Sequence, residues 1–195
     1  MPSANITRLA KARVTSTNYF VDTNVWIYAI QGDGLLAPWQ RHYSDFFYDI
    51  IESTLDPKPV ILLPTLLFSE ILNTYLRQIA LDEYKTINRI PKTTSLDFKL
   101  EYRPTIHYKE SYEKICDDIY GLRPYLNFIG DQSLLLTDPP LYLNPTVAPF
   151  DFNDYFYYQI CKEFQKVNPV TILTNDGDFQ ITDIPIITSN RTLLS

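Results

Sequence analysis

Residues 18–30 read NYFVDTNVWIYAI, a short apolar strand that ends in three polar residues before a second apolar segment begins. Asp22 is the first polar residue after the strand. Similar apolar runs occur at residues 60–63, 170–174 and 184–188, separated by segments with helical periodicity. This alternation of strands and helices predicts an α/β protein with a three-layer α/β/α fold and a central parallel sheet.

The periodicity also predicts where the elements and the domain begin and end. The predicted helices cover residues 39–55, 65–80, 106–120 and 152–166, and the first strand covers 18–22. Residues 1–17 are expected to be a flexible basic arm, and residues 18–195 a single domain. Within that domain residues 93–149 are less regular and proline-rich, and we interpret them as an insertion.

The charge distribution limits the classes of partner. The chain has a net charge of −6, with 45% hydrophobic and 21% charged residues, which is typical of a globular domain. Residues 1–17 contain basic residues and no acidic ones, so residues 18–195 carry a larger negative charge than the whole chain. A domain with this charge is unsuited to tight, nonspecific nucleic-acid binding, which depends on neutralising phosphates. Chemistry on a polyanion would require a local basic patch or a metal ion.

Cysteine content and hydropathy point to a cytoplasmic protein. The two cysteines, Cys116 and Cys161, have neither the spacing of a metal site nor that of a disulfide framework, which favours a reducing compartment. The longest apolar run, residues 60–68, is interrupted by Pro64 and is too short to cross a bilayer. We therefore expect no secretory signal and no membrane partner.

Four acidic residues are placed where their side chains would converge. Asp22 and Asp176 follow strands, while Glu70 and Asp154 lie in helices that border the same sheet edge. Ligands of parallel α/β sheets bind beyond the carboxyl ends of the strands. Carboxylates that meet there without basic partners predict a divalent metal site and a metal-dependent hydrolase.

Each acidic position also has a purely structural interpretation. Asp22 is equally suited to cap the following helix. At the start of helix 152–166 we assign Asp151 as the cap and Asp154 as the site residue, because Asp154 shares a face with buried positions. Asp176 and Asp178 occur in a segment typical of an Asx turn, which is compatible with a metal site.

Four segments together resemble the motifs of PIN-domain nucleases. They are Val21-Asp22-Thr23-Asn24-Val25, Ser69-Glu70-Ile71, Asn153-Asp154 and Thr174-Asn175-Asp176-Gly177-Asp178-Phe179. The resemblance covers about residues 18–90 and 146–195. It implies Mg²⁺- or Mn²⁺-dependent cleavage of single-stranded RNA, and kinship to the toxin half of toxin–antitoxin pairs. An antitoxin protein and a second copy of the chain, as a homodimer, are the protein partners considered.

The resemblance also implies roles for individual residues. The implied catalytic residues are Asp22, Glu70, Asp154 and Asp176, and the implied metal ligands are Asp22, Asp154, Asp176 and Asp178. Thr23, Asn24 and Thr174 would support them by hydrogen bonding to water or to a phosphate oxygen. The sequence departs from the family pattern in two places. One is the insertion 93–149. The other is the last motif, which contains two acids; we favour Asp176 as the metal ligand, with Asp178 in support.

Residues 85–104 carry more basic than acidic groups and include aromatic residues. Lys92, Lys99 and Arg103 are the candidate substrate-binding residues, because basic and aromatic side chains together suit single-stranded nucleic acid. A solvated loop is the alternative. Two other functions stay open: a PIN-like scaffold that binds RNA or protein without cleaving, and a metal-dependent phosphatase. His42 and His107 are assigned to surface or packing positions.

Overall fold

The computed structural model describes residues 5–130, 152–179, 181 and 183–195. Six strands form one sheet: β1 (Ile6–Arg8), β2 (Asn18–Val21), β3 (Val60–Pro64), β4 (Leu126–Ile129), β5 (Val170–Leu173) and β6 (Ile186–Thr188). Every neighbouring pair is parallel, and the strand order is β1-β6-β5-β2-β3-β4. The predicted three-layer α/β/α fold with a central parallel sheet is confirmed.

Helices connect these strands. They are α1 (Thr23–Gln31), α2 (Pro38–Ile51), α3 (Thr65–Thr74), α4 (Leu81–Ile87), α5 (Ile106–Gly121), α6 (Phe152–Gln165) and α7 (Arg191–Leu194). Two π-helical segments are also present, Tyr75–Ala80 between α3 and α4 and Phe98–Tyr102 before α5. The helix predicted over residues 65–80 therefore changes to a wider turn at its end and continues to residue 87.

The centre of the sheet is its most buried part. Tyr19, Phe20 and Val21 of β2 are fully buried, as are Ile172 and Leu173 of β5. A continuous apolar run is expected for a parallel strand, because helices cover both of its faces. The sequence pattern was therefore clearest for the strands that lie at the centre.

Between β2 and β5 the order in which strands are added to the sheet changes direction. These strands are hydrogen-bonded neighbours, with Val21 opposite Leu173, and the Asp22 N–H donates to the Leu173 carbonyl at 3.0 Å. The chain leaves β2 towards β3 on one side and leaves β5 towards β6 on the other. A topological switch point of this kind opens a crevice at the strands' carboxyl ends.

Part of the predicted flexible arm belongs to the sheet. Residues 6–8 form edge strand β1, and the Asn5 carbonyl accepts a hydrogen bond from Ile186 at 2.9 Å. Leu9 and Ala12 are buried directly after it. The expectation of a loose arm is thus wrong for residues 5–12, since a three-residue edge strand has too few residues to show periodicity.

The described part of the predicted insertion, residues 93–130, is likewise built into the fold. Helix α5 corresponds to the one helix predicted there, and strand β4, which was not predicted, pairs with β3. Throughout the described ranges, no helix has both the length and the apolar character needed to cross a membrane.

Candidate metal centre

Three carboxylates meet beyond the carboxyl end of β5. One oxygen each from Asp154, Asp176 and Asp178 lies within 4.8 Å of the other two. Asp154 is in the first turn of α6, and the other two follow β5. In an octahedral Mg²⁺ site with Mg–O distances of about 2.1 Å, neighbouring ligands lie about 3 Å apart and opposite ligands about 4.2 Å apart. The limit of 4.8 Å within which the three oxygens lie is only slightly larger than the second of these distances, and carboxylate oxygens are the donors that a hard divalent cation prefers, so the donor set fits such an ion.

Asp176 and Asp178 form the turn that the sequence indicated. The Asp178 N–H donates to Asp176 Oδ1 at 3.0 Å, which is an Asx turn. Asp176 is half-buried and Asp178 is exposed. Both carboxylates also lie in the three-carboxylate cluster, so the same residues form the Asx turn and part of the cluster.

Asp22 lies at the N-cap position of α1 but makes no capping hydrogen bond with its side chain. Instead, its Oδ2 accepts a hydrogen bond of 2.9 Å from the Thr174 hydroxyl. The side chain is only 7% exposed. Burial raises the pKa of Asp22 to about 7; the Thr174 hydroxyl opposes this rise, and the charges of Asp176 and Glu70 add to it. Asp22 is thus a buried acid beside the three-carboxylate cluster.

Glu70 is held by three hydrogen-bond donors from two helices. The Thr23 hydroxyl donates to Oε1 at 2.8 Å, and the Tyr157 hydroxyl donates to Oε2 at 2.7 Å. The Asn153 side-chain amide adds a longer bond of 3.3 Å to Oε2. These donors solvate the half-buried carboxylate within the protein.

Thr174 connects the ends of β2 and β5. Its fully buried hydroxyl donates to Asp22 and also accepts the Asp176 N–H at 2.8 Å. Thr23 and Thr174, predicted to contact water or phosphate, therefore orient Glu70 and Asp22. Asn24 is exposed, and the structure gives its side chain no role in the site.

Tyr43 of α2 fixes the loops that carry the acidic cluster. Its hydroxyl donates towards the Thr174 carbonyl at 3.2 Å and Asn175 Oδ1 at 3.1 Å, and it accepts the Ser189 N–H at 2.6 Å. The Asn190 side chain donates to the Asn175 carbonyl at 2.7 Å. Helical periodicity would place Tyr43 on the inner face of α2, but nothing local indicates what its hydroxyl contacts.

The predicted substrate-binding residues have different surroundings. Lys92 forms an exposed ion pair with Asp82 at 3.2 Å. Lys99 is exposed at the start of the second π-helical segment. Arg103 places its guanidinium 5.4 Å from the centre of the Phe98 ring. Of the three, only Arg103 has an aromatic contact of the type expected.

Other sequence assignments have mixed outcomes. His42 is exposed, and His107 packs against Tyr102 with its Nδ1 3.1 Å from the tyrosine hydroxyl, as expected for surface and packing residues. The assignment of Asp151 as a helix cap lies outside the described residues. Within the described ranges, no Lys or Arg forms an ion pair with Asp22, Glu70, Asp176 or Asp178, so their negative charge is not neutralised by a basic side chain there.

Comparisons of the chain with protein-family models, with curated proteins and with solved structures give no match.

Proposed function

We propose that this protein is a Mg²⁺- or Mn²⁺-dependent endoribonuclease of the PIN-domain type that cleaves single-stranded RNA. The observation that carries the proposal is the convergence of Asp154, Asp176 and Asp178 within 4.8 Å, beside the buried Asp22. The crevice at the switch point between β2 and β5 supports it, because such crevices hold the ligands of open α/β sheets. The four sequence motifs that resemble PIN-domain nucleases supply the substrate class.

The protein side chains have separable tasks in this proposal. Asp154, Asp176 and Asp178 would hold the cation, which when bound activates water and stabilises charge on the scissile phosphate. The Thr174 hydroxyl donates to Asp22 Oδ2 and so restrains the rotation of this carboxyl group. Burial raises the pKa of Asp22 to about 7 without a cation, and a bound cation would favour the charged carboxylate, so Asp22 would add negative charge beside the ion.

Glu70 would orient the attacking water. Its two oxygens are fixed by Thr23 and Tyr157, which prevents the carboxylate from rotating. A carboxylate has about four lone-pair sites, and the three donors leave capacity to accept one more hydrogen bond. Positioning of this kind lowers the entropic cost of attack.

One experiment distinguishes this function from the two alternatives. Wild-type protein and Asp176→Asn are incubated with single-stranded RNA, single-stranded DNA and p-nitrophenyl phosphate, with Mn²⁺ or with EDTA. We expect RNA cleavage only by wild type with Mn²⁺. The control is Asp118→Asn, which removes an exposed carboxylate paired with Lys114 and should cleave as wild type does.

The other outcomes each contradict the proposal. Hydrolysis of p-nitrophenyl phosphate without RNA cleavage would identify a phosphatase. RNA binding without cleavage would identify a scaffold. Cleavage by Asp176→Asn at the wild-type rate would show that the acidic cluster is not the active site. Kinship to toxins, an antitoxin partner and a homodimer stay predictions from the resemblance.

A further inference from the structure

Two arginines share one aromatic ring outside the acidic cluster. The guanidinium carbon of Arg77 lies 4.3 Å from the centre of the Phe98 ring, and that of Arg103 lies 5.4 Å from it. The two cations are therefore no more than about 10 Å apart, which is close to the Debye length of about 8 Å at physiological salt, so their repulsion is only partly screened. Neither forms an ion pair with a described residue. An anion between them would be favourable.

The local backbone explains how the pair forms. Arg77 belongs to the first π-helical segment, and Arg103 directly follows the second. Phe98 is buried, while both arginines are exposed. A rigid ring thus supports two guanidinium groups that face solvent. π-Helical turns are rare and occur frequently at functional sites.

A polar groove connects Arg77 to Glu70. The groove has a volume of about 280 Å³, and its lining includes Glu70, Asn73, Arg77, Gln78 and Asn153. Glu70 and Arg77 are two helical turns apart, which corresponds to about 10 Å along the axis. The amide side chains between them can bind phosphate or ribose oxygens.

A second cavity lies beside Arg103. It has a volume of about 400 Å³ and is lined by Arg103, Tyr108, Lys109 and Tyr112, among others. Tyr112 is 43% exposed, so its ring is accessible. Aromatic rings beside basic groups are the surface on which bases of single-stranded nucleic acids stack.

We propose that Arg77 and Arg103, supported by Phe98, form a phosphate-binding site for single-stranded RNA outside the acidic cluster. The polar groove carries the backbone from this site to Glu70, and the Tyr108–Tyr112 cavity receives a base. This proposal rests on the proposed function and extends it, because it defines where the strand lies on the protein. A phosphopeptide would use the two cations but not the adjoining aromatic cavity, so the arrangement favours RNA.

The test measures binding separately from cleavage. A fluorescein-labelled single-stranded RNA is titrated, at several salt concentrations, against Asp176→Asn protein with and without Arg77→Gln/Arg103→Gln. We expect the added pair to weaken binding at least 10-fold and to lower the slope of log K against log salt by about 1.4, which is about 0.7 for each lost phosphate contact. Melting temperatures verify that each variant is folded.

The control removes the same charge elsewhere. Lys58→Gln/Lys166→Gln on the Asp176→Asn background should leave affinity and salt slope unchanged, since Lys58 is exposed and Lys166 is paired with Glu163. An equal loss in both double variants would show a general charge effect and overturn the proposal. An unchanged salt slope in Arg77→Gln/Arg103→Gln would also overturn it.

The base cavity is tested with Tyr112→Leu and an RNA of matched length that lacks bases. We expect Tyr112→Leu to weaken binding of normal RNA several-fold, to leave the salt slope unchanged and to have no effect on abasic RNA. Equal effects on both RNAs would refute base stacking. Displacement of RNA by a phosphoserine peptide at lower concentration than by unlabelled RNA would identify a phosphopeptide site instead. Because none of these measurements requires cleavage, they fail independently of the nuclease proposal.

Discussion

Replacing Asp22 by Asn removes an ionisable group from a buried position while preserving its shape. The Asn side-chain oxygen can still accept the hydrogen bond that the Thr174 hydroxyl donates to Asp22. The amide group can donate towards Glu70 or Asp176, whose charges raise the pKa of Asp22. The substitution therefore changes the charge at this point with little change in packing.

The size of the effect follows from the pKa of Asp22. That pKa is about 7 in the folded protein, against an ordinary value of 3.8, and burial is the main cause. Between these two values the folded protein keeps a proton that the unfolded chain has lost, so stability falls as the pH rises through this window. Below about pH 4 the group is neutral in both states and the penalty is absent. Above about pH 7 the penalty reaches about 4 kcal/mol, at about 1.4 kcal/mol for each pH unit.

Urea unfolding followed by tryptophan fluorescence, with EDTA present, measures this penalty in wild type and Asp22→Asn. We expect equal free energies of unfolding near pH 4 and a variant that is more stable by up to about 4 kcal/mol near pH 8. Millimolar Mn²⁺ should stabilise wild type more than the variant, because a bound cation compensates for the buried charge.

Two results would refute this reasoning. Free energies of unfolding that run parallel from pH 4 to pH 8 would show that Asp22 keeps an ordinary pKa and is not desolvated. Equal stabilisation of both proteins by Mn²⁺ would show that the cation binds without involving this carboxylate.

Three further perturbations test separate parts of the structure. Thr174→Val removes a buried hydroxyl with two partners and should lower the free energy of unfolding by about 1–3 kcal/mol; an unchanged urea midpoint would contradict its connecting role. Tyr157→Phe removes a donor to Glu70 and should reduce RNA cleavage, whereas Tyr158→Phe, which loses a surface bond, should not; equal rates would count against positioning of Glu70. Deleting residues 1–8 removes β1 and should lower the melting temperature by about 5 °C, and an unchanged value in a thermal scan would show that the edge strand adds no stability.

Local sequence was sufficient to place the acids that follow central strands. Asp22 comes directly after β2 and Asp176 comes three residues after the end of β5, and parallel strands bring their carboxyl ends to one edge. Asp154 was separated from Asp151 by helical periodicity, and it does lie in the three-carboxylate cluster. Burial on both faces of the central strands imposes an apolar pattern that can be recognised residue by residue, and this pattern locates the strand ends that these acids follow.

The conformation of the two edge strands, β1 and β4, depends on tertiary structure. The β4 strand has half-buried or exposed residues, and Phe128 is 51% exposed. β1 has only three residues. Edge strands bury one face or less, so their sequences have no strong period, and pairing with β3 and β6 decides their conformation.

The sequence by itself determined the fold class and the positions of the acids, because both follow from burial and chain direction over a few residues. Only the tertiary structure decided what holds those acids. The donors to Glu70 come from positions 47, 83 and 87 residues away, and the Tyr43 hydroxyl reaches Asn175 across 132 residues. The contacts of Arg77 and Arg103 with Phe98 likewise formed only in the tertiary structure. Contacts of this range depend on how the helices pack on the sheet, and no local pattern encodes a side chain's partner at that distance.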